Sequence, residues 1–200
     1  FNKNKFDEFM KLVPDRVIVL LDEAYFEYAC HINEYPDSMH YRYDNVITLR
    51  TFSKAHGLAG FRVGYGFADS ELIANLMKVK LPFEPSSLGQ VAACAAMDDN
   101  EHLVNSIKIN NSEKNKLEIF FDSINISYIP SVTNFLTLIF QNEKTAFNFC
   151  DLMLKKGVIL RHLLSFGLPN CIRVTIGTPE ENKFLVQNIK ELRKTNVYDR

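Results

Sequence analysis

The 200-residue sequence predicts an α/β protein, with a mostly parallel sheet region followed by a smaller α/β unit. Three observations carry this reading. Arg16–Leu21 (R-V-I-V-L-L) is short, almost wholly apolar and rich in β-branched residues. That is the look of a strand buried on both faces, as in a parallel sheet. A second strand-like run, Asn45–Leu49 (N-V-I-T-L), follows it. From Ile126 onward, strand-like and helical patterns alternate, which indicates layered α/β or α+β structure.

The elements follow in order. Asn2–Leu12 carries Phe6, Phe9, Met10 and then Val13 at helical spacing, and Pro14-Asp15 stops it. The Arg16–Leu21 strand ends in Asp22-Glu23-Ala24-Tyr25. Phe26–Asp44, rich in Tyr, His, Asn and Pro, reads as a loop, and its His31 and His40 lack metal-ligand spacing with carboxylates. Asn45–Leu49 delivers Thr51–Lys54 at its carboxyl end, and Phe61–Ala68 alternates like a third strand. Asp69 caps a helix running to about Lys78. Leu81–Ser87 is a break, and Ser86 or Ser87 caps an alanine-rich helix, expected to be buried, running to about Met97. His102–Phe121 is a long polar helix with Leu103, Ile107, Leu117 and Phe120 on its apolar side. The domain boundary is expected there, giving domains 1–105 and 106–200. In the second, Ile126–Ile129, Asn134–Phe140, Val158–Leu160 and Cys171–Ile176 read as strands. Lys144–Lys155 and Pro179–Lys194 read as helices, the last with Thr178 at its N-cap and Pro179 at its first position.

Composition narrows the function. A net charge of −1 gives no electrostatic reason to propose nucleic acid or a membrane surface. No apolar run approaches the roughly 20 residues of a bilayer span. Cys30, Cys94, Cys150 and Cys171 show no C-x-x-C or zinc spacing. They are expected to be mostly buried and reduced, which suits a cytoplasmic setting. The chain begins with Phe inside a helical pattern, so it is expected to be the C-terminal portion of a longer protein.

The chemistry concentrates in Thr51–Gly66, T-F-S-K-A-H-G-L-A-G-F-R-V-G-Y-G. Lys54 sits in a small-residue loop after a strand, flanked by the hydroxyls of Thr51 and Ser53, with Arg62 eight residues on. A lysine so placed can form a Schiff base with an aldehyde. An arginine with hydroxyls nearby can hold a phosphate. An aldehyde and a phosphate on one molecule suggest pyridoxal 5'-phosphate; a solvated lysine in a Gly-rich loop is the plainer alternative. Ligands of open α/β sheets sit at the carboxyl ends of strands, so Asp22 and Lys54 are presented on one sheet edge. Two further arginines stand out: Arg161, after Val158–Leu160, and Arg173, inside Cys171–Ile176. An arginine in an apolar strand is costly unless paired. It serves either a structural ion pair or bidentate capture of a carboxylate or phosphate.

D-E-A-Y, T-F-S-K-A-H-G-L-A-G-F-R-V-G-Y, P-S-V-T-N-F, G-V-I-L-R and I-R-V-T-I-G-T resemble, in order, the fold-type I, pyridoxal-phosphate-dependent aminotransferases of class I/II. Within that family they look most like the histidinol-phosphate aminotransferases. The resemblance implies part of a large α/β/α domain followed by a small domain. It implies that Lys54 forms the Schiff base and moves the substrate proton, and that Asp22 pairs with the pyridine nitrogen. Tyr25 would hydrogen-bond the ring oxygen, and Thr51 or Ser53 with Arg62 would hold the phosphate. Arg173, with Arg161, would clamp a substrate carboxylate or phosphate. The implied partners are a small amino donor, histidinol phosphate, and 2-oxoglutarate, in a homodimer. A phosphothreonine-type decarboxylase would use the same lysine and clamp, and an inactive fragment is the third alternative. The loop Ala29–Asp44 is longer than this part of the family needs and has no assigned role.

Overall fold

The computed structural model describes residues 2–41 and 43–195. It divides into two compact units, Phe1–Ile107 and Lys108–Arg200. The class is α/β.

Unit 1 begins with α1 (Lys3–Met10), capped by Asn2, whose side chain accepts from Lys5 N. Its Phe6 and Met10 pack with Leu21 and Val46 in a small core. β1 (Val19–Asp22) pairs in parallel with β2 (Val46–Thr51), which pairs antiparallel with β3 (Gly64–Phe67). The sheet therefore holds one parallel and one antiparallel pairing rather than being mostly parallel. The expectation that the first strand is buried on both faces is also corrected. Leu21 is buried while Leu20 is 65% exposed, because only one face of β1 packs against α1. The loop 26–44 contains α2 (Phe26–Ala29) and a 3₁₀ turn at Ser38–His40, capped by Asp37. The third strand starts late: Ala59–Phe61 is a 3₁₀ turn, and Arg62 adopts the left-handed conformation at φ 53°.

α3 (Ser70–Val79) starts at Asp69, whose Oδ1 accepts from Glu71 N, and α4 (Ser87–Asp98) at Ser86, whose Oγ accepts from Gly89 N. α4 is not the buried helix its alanines suggest. Gly89 and Ala93 are buried, but Val91 is 70% exposed. Its small residues let it approach Phe52 and Val63 along one narrow line.

α5 (Asn100–Ser123) continues into unit 2, where β4 (Ser127–Ile129), β5 (Phe135–Ile139), β6 (Arg161–His162) and β7 (Cys171–Thr175) form an antiparallel sheet, ordered β4-β5-β7-β6. Val158–Leu160 is not a strand; the pairing begins at Arg161. α6 (Glu143–Lys155) and α7 (Pro179–Thr195) complete the unit. Thr178 and Glu181 form a reciprocal capping box at the start of α7. Phe121, Leu136, Leu138, Phe149 and Met153 are among its fully buried side chains, each contributing about 1.5–3 kcal/mol by burial. All four cysteines are free, but Cys30 and Cys94 are exposed, contrary to expectation, and only Cys171 is buried. Burial pushes the half-buried Cys150 thiol up to about 11. Among the described residues no helix is long and apolar enough to cross a membrane.

One carboxylate stabilises unit 2 from within. Glu113 is buried, bonded to Lys116 at 2.5 Å and to Asn182 at 3.1 Å. The Lys116 bond is the main cause of its lowered pKa, opposed by burial and helped by Asn182. A depressed carboxyl stabilises above its unfolded pKa and loses that contribution as pH falls through the folded value. Glu113→Gln is therefore expected to cost about 1–2 kcal/mol at neutral pH. The cost should shrink progressively as pH falls below the unfolded carboxyl value of about 4.3 and on through the lower folded value. Thermal melts of both proteins across this range check it.

Candidate active site

The parallel pairing of β1 and β2 brings both carboxyl ends to one edge. Asp22, last in β1, lies opposite Leu49, and β2 ends two residues later at Thr51. Asp22 is exposed, and its Oδ1 accepts from Ala24 N at 3.0 Å. This bond turns the chain sharply out of the strand into Tyr25, the N-cap of α2.

Lys54 is held by the residues beside it. Phe52 and Ala55 are buried and pin the turn from below, while Ser53 and Lys54 remain half-buried. Leu58 N donates to Phe52 O at 2.9 Å, and Gly57 N to Lys54 O at 3.0 Å, closing the turn. Gly57 has φ +73°, which glycine adopts at little steric cost. Thr51 Oγ1 accepts from Ser53 N at 3.1 Å. Lys54 Nζ lies 5.2 Å from the centroid of the Tyr25 ring, within cation–π range. Arg62 is exposed and donates from Nη1 to Ala59 O at 2.8 Å. It precedes Gly64, the register partner of Thr51; a Cβ there would meet Arg50 O at 2.8 Å. Glycine thus permits the close approach of β3 to the end of β2. In unit 1 the structure brings Lys54 and Tyr25 into contact, and it sets Asp22 and Thr51 on the same edge.

Sequence reasoning missed a layer of buried charge under this edge. Arg50 Nε donates to Glu23 Oε2 at 2.9 Å, and Nη2 to Asp37 Oδ1 at 2.9 Å. Its guanidinium lies 3.3 Å from the Phe26 ring centroid. Burial alone would lower the Arg50 pKa; the hydrogen bond and charge of Glu23 outweigh it, and the net direction is up. The same surroundings push Tyr35 up to about 12, chiefly by burial and then by the Glu23 charge. Asp37 thereby ties the loop to β2, which gives that loop a structural role. Glu27 and His56 form a second buried pair, Oε1 to Nε2 3.7 Å. The available signals were an arginine directly after an apolar strand and two acids four residues apart.

In unit 2, Arg161 and Arg173 are direct cross-strand partners. Arg161 is exposed and sits over Phe166; Arg173 is half-buried and sits over Phe135, at 5.8 and 5.3 Å respectively. Among the described residues neither has a carboxylate within ion-pairing distance. Two like charges stand side by side on neighbouring strands, an arrangement suited to an anion.

An α/β sheet edge carrying a lysine, a facing tyrosine and a strand-end aspartate defines a recognisable class. The chain belongs to the aminotransferase class I and II family, whose model matches residues 1–189. It is 43% identical over 192 residues to histidinol-phosphate aminotransferase 2 of Carboxydothermus hydrogenoformans, covering 94% of this chain and 52% of that protein. A solved structure of histidinol-phosphate aminotransferase from Sinorhizobium meliloti, in complex with pyridoxal-5'-phosphate, matches with TM-score 0.89 at 27% identity, covering 98% of this chain and 54% of that one. L-threonine-O-3-phosphate decarboxylase from Porphyromonas gingivalis shares the fold, with TM-score 0.80 at 17% identity, over 97% of this chain and 60% of that one. The chain spans about half the length of the curated relative it matches.

Proposed function

We propose that this chain carries the lysine-bearing part of a pyridoxal-phosphate-dependent aminotransferase acting on histidinol phosphate and 2-oxoglutarate, in histidine biosynthesis. The observation that carries the reading is the Lys54 amine held against Tyr25 on the edge where Asp22 ends β1. The donor set fits the cofactor: an amine, a carboxylate, a phenol, two hydroxyls and a guanidinium lie on one segment-pair of unit 1. When bound, the cofactor supplies an aldehyde that takes up the amino group and a ring that accepts electrons.

Each residue has a role of its own chemical type. Lys54 is the amine that holds the cofactor and then carries the substrate Cα proton. The Asp22 carboxylate keeps a proton on the pyridine nitrogen, and Tyr25 donates to the ring oxygen. Thr51 and Ser53, with Arg62, hold the phosphate. Arg173, with Arg161 beside it, holds the substrate phosphate or the carboxylate of the oxo acid. Under this reading residues 1–105 belong to the cofactor-binding domain and 106–200 to the small domain. The assembly proposed is a homodimer, in the cytoplasm.

Incubating the full chain with pyridoxal phosphate, histidinol phosphate and 2-oxoglutarate is expected to yield glutamate, measured by chromatography. Release of CO₂ from phosphothreonine without glutamate would move the assignment to a decarboxylase. No product from either pair would overturn catalysis by this chain.

A further inference from the structure

Lys54 meets Tyr25 through a helix that is too short to hold itself in place. α2 has four residues, Phe26–Ala29, and a helix of one turn is marginal without tertiary anchors. Besides its buried Tyr28 and Ala29, its anchors include two buried acids, Glu23 just before it and Glu27 within it, which stand on either side of Tyr25 in sequence. Each acid faces a nitrogen-bearing side chain, a guanidinium or an imidazole, on the segment that carries Lys54. Glu23 faces Arg50 at 2.8 Å and Glu27 faces His56 at 3.7 Å. Arg50 precedes Lys54 and His56 follows it, so the two pairs bracket the Tyr25–Lys54 contact.

We propose that Glu27 and His56 are positioning residues that hold the Tyr25 ring against the Lys54 ammonium. The proposal deepens the function above and rests on it for the role of Lys54. Glu27 and His56 have side chains only 8% and 11% exposed. Glu27 Oε2 and His56 Nδ1 are buried without hydrogen-bond partners. The carboxylate therefore has His56 as its nearest ion-pairing partner, and a buried carboxylate drawn away from its partner is costly. α2 cannot drift from His56 without that cost. His56 is itself fixed, its ring 5.0 Å from that of Phe52. Phe52 is buried and its carbonyl closes the lysine turn by accepting from Leu58 N. A continuous path thus runs from Tyr25 through α2 to Glu27, across to His56 and Phe52, and up the turn to Lys54.

The test reads Lys54 itself, without cofactor. In the full chain, Lys54 is reductively methylated with formaldehyde and borohydride, and its rate is followed by peptide mass spectrometry. Lys78, exposed on α3, is the internal reference. Tyr25→Leu removes the ring contact and is expected to raise the Lys54 rate about two- to fivefold relative to Lys78. Glu27→Leu replaces the acid with an apolar group of similar size and is expected to raise it by a similar factor. In the double variant, Glu27→Leu should add nothing to Tyr25→Leu, because both act through one contact. Equal rises from Glu27→Leu with and without the Tyr25 ring, or no rise at all, would overturn the proposal. If Glu27→Leu does not fold, Glu27→Gln carries the same comparison. A chain that shows this non-additivity yet captures no pyridoxal phosphate fails the functional reading and leaves the positioning role standing.

Discussion

Lys54→Ala is expected to remove covalent capture of pyridoxal phosphate completely. Wild-type protein treated with the cofactor and then borohydride should carry a fixed label on the peptide containing Lys54, and the variant should carry none there. Lys54→Arg is the sharper control. It keeps a cation over the Tyr25 ring, now 5.2 Å from Nζ, but a guanidinium is neither a nucleophile nor a proton carrier at neutral pH. It should lose the label as completely as the alanine variant. Where amino transfer is measurable, loss of the proton-transfer role alone is expected to lower the rate about 10²–10⁴-fold. The turn should survive either substitution, because Phe52 and Ala55, not Lys54, are its buried residues. An unchanged melting temperature would show this. A label that persists on the same site, or moves to another lysine with activity retained, would remove Lys54 from the mechanism.

That residue could be singled out from sequence because its neighbourhood is local. Thr51, Ser53, Lys54 and Arg62 lie within one short segment, and the strand before it is apolar enough to reveal its direction. Asp22 was legible for the same reason, since an acid ending a buried-looking strand has a predictable place on a parallel sheet. The helices with polar caps at Asp69, Ser86 and Thr178 were legible because each cap satisfies backbone N–H groups within three residues. What was not legible depends on contacts between distant residues. α4 looked buried because alanine is compatible with close packing, but whether anything packs there is decided by the elements around it. β3 looked longer because Phe61 and Val63 alternate correctly, but the left-handed Arg62 breaks the pleat before pairing begins. The loop 26–44 looked unstructured because its order comes from Asp37 reaching Arg50, thirteen residues away. Nothing in the sequence pairs Glu23 and Glu27 with Arg50 and His56, because those partners lie across the fold.

The second large effect tests that buried layer. Arg50→Met is expected to destabilise unit 1 by about 3–5 kcal/mol, the cost of removing one partner from a buried ion pair. Methionine keeps an apolar side chain against Phe26 but removes every donor. Glu23, with a side chain 2% exposed, would be left as a buried carboxylate without its guanidinium. Its Oε1 already lacks a partner, so the remaining oxygen has nowhere else to turn. Arg50→Met/Glu23→Leu should recover much of the loss, since replacing both members of a buried pair with apolar groups is often near neutral. It should not recover the order of the loop, because Asp37 also loses its bond to Arg50. Denaturant unfolding and limited proteolysis separate the two effects. The single variant should fail in both, while the double variant should regain stability yet be cut faster than wild type between residues 30 and 41. A single-variant loss below about 1 kcal/mol would place Arg50 with surface ion pairs and remove the buried layer as the support of the lysine edge.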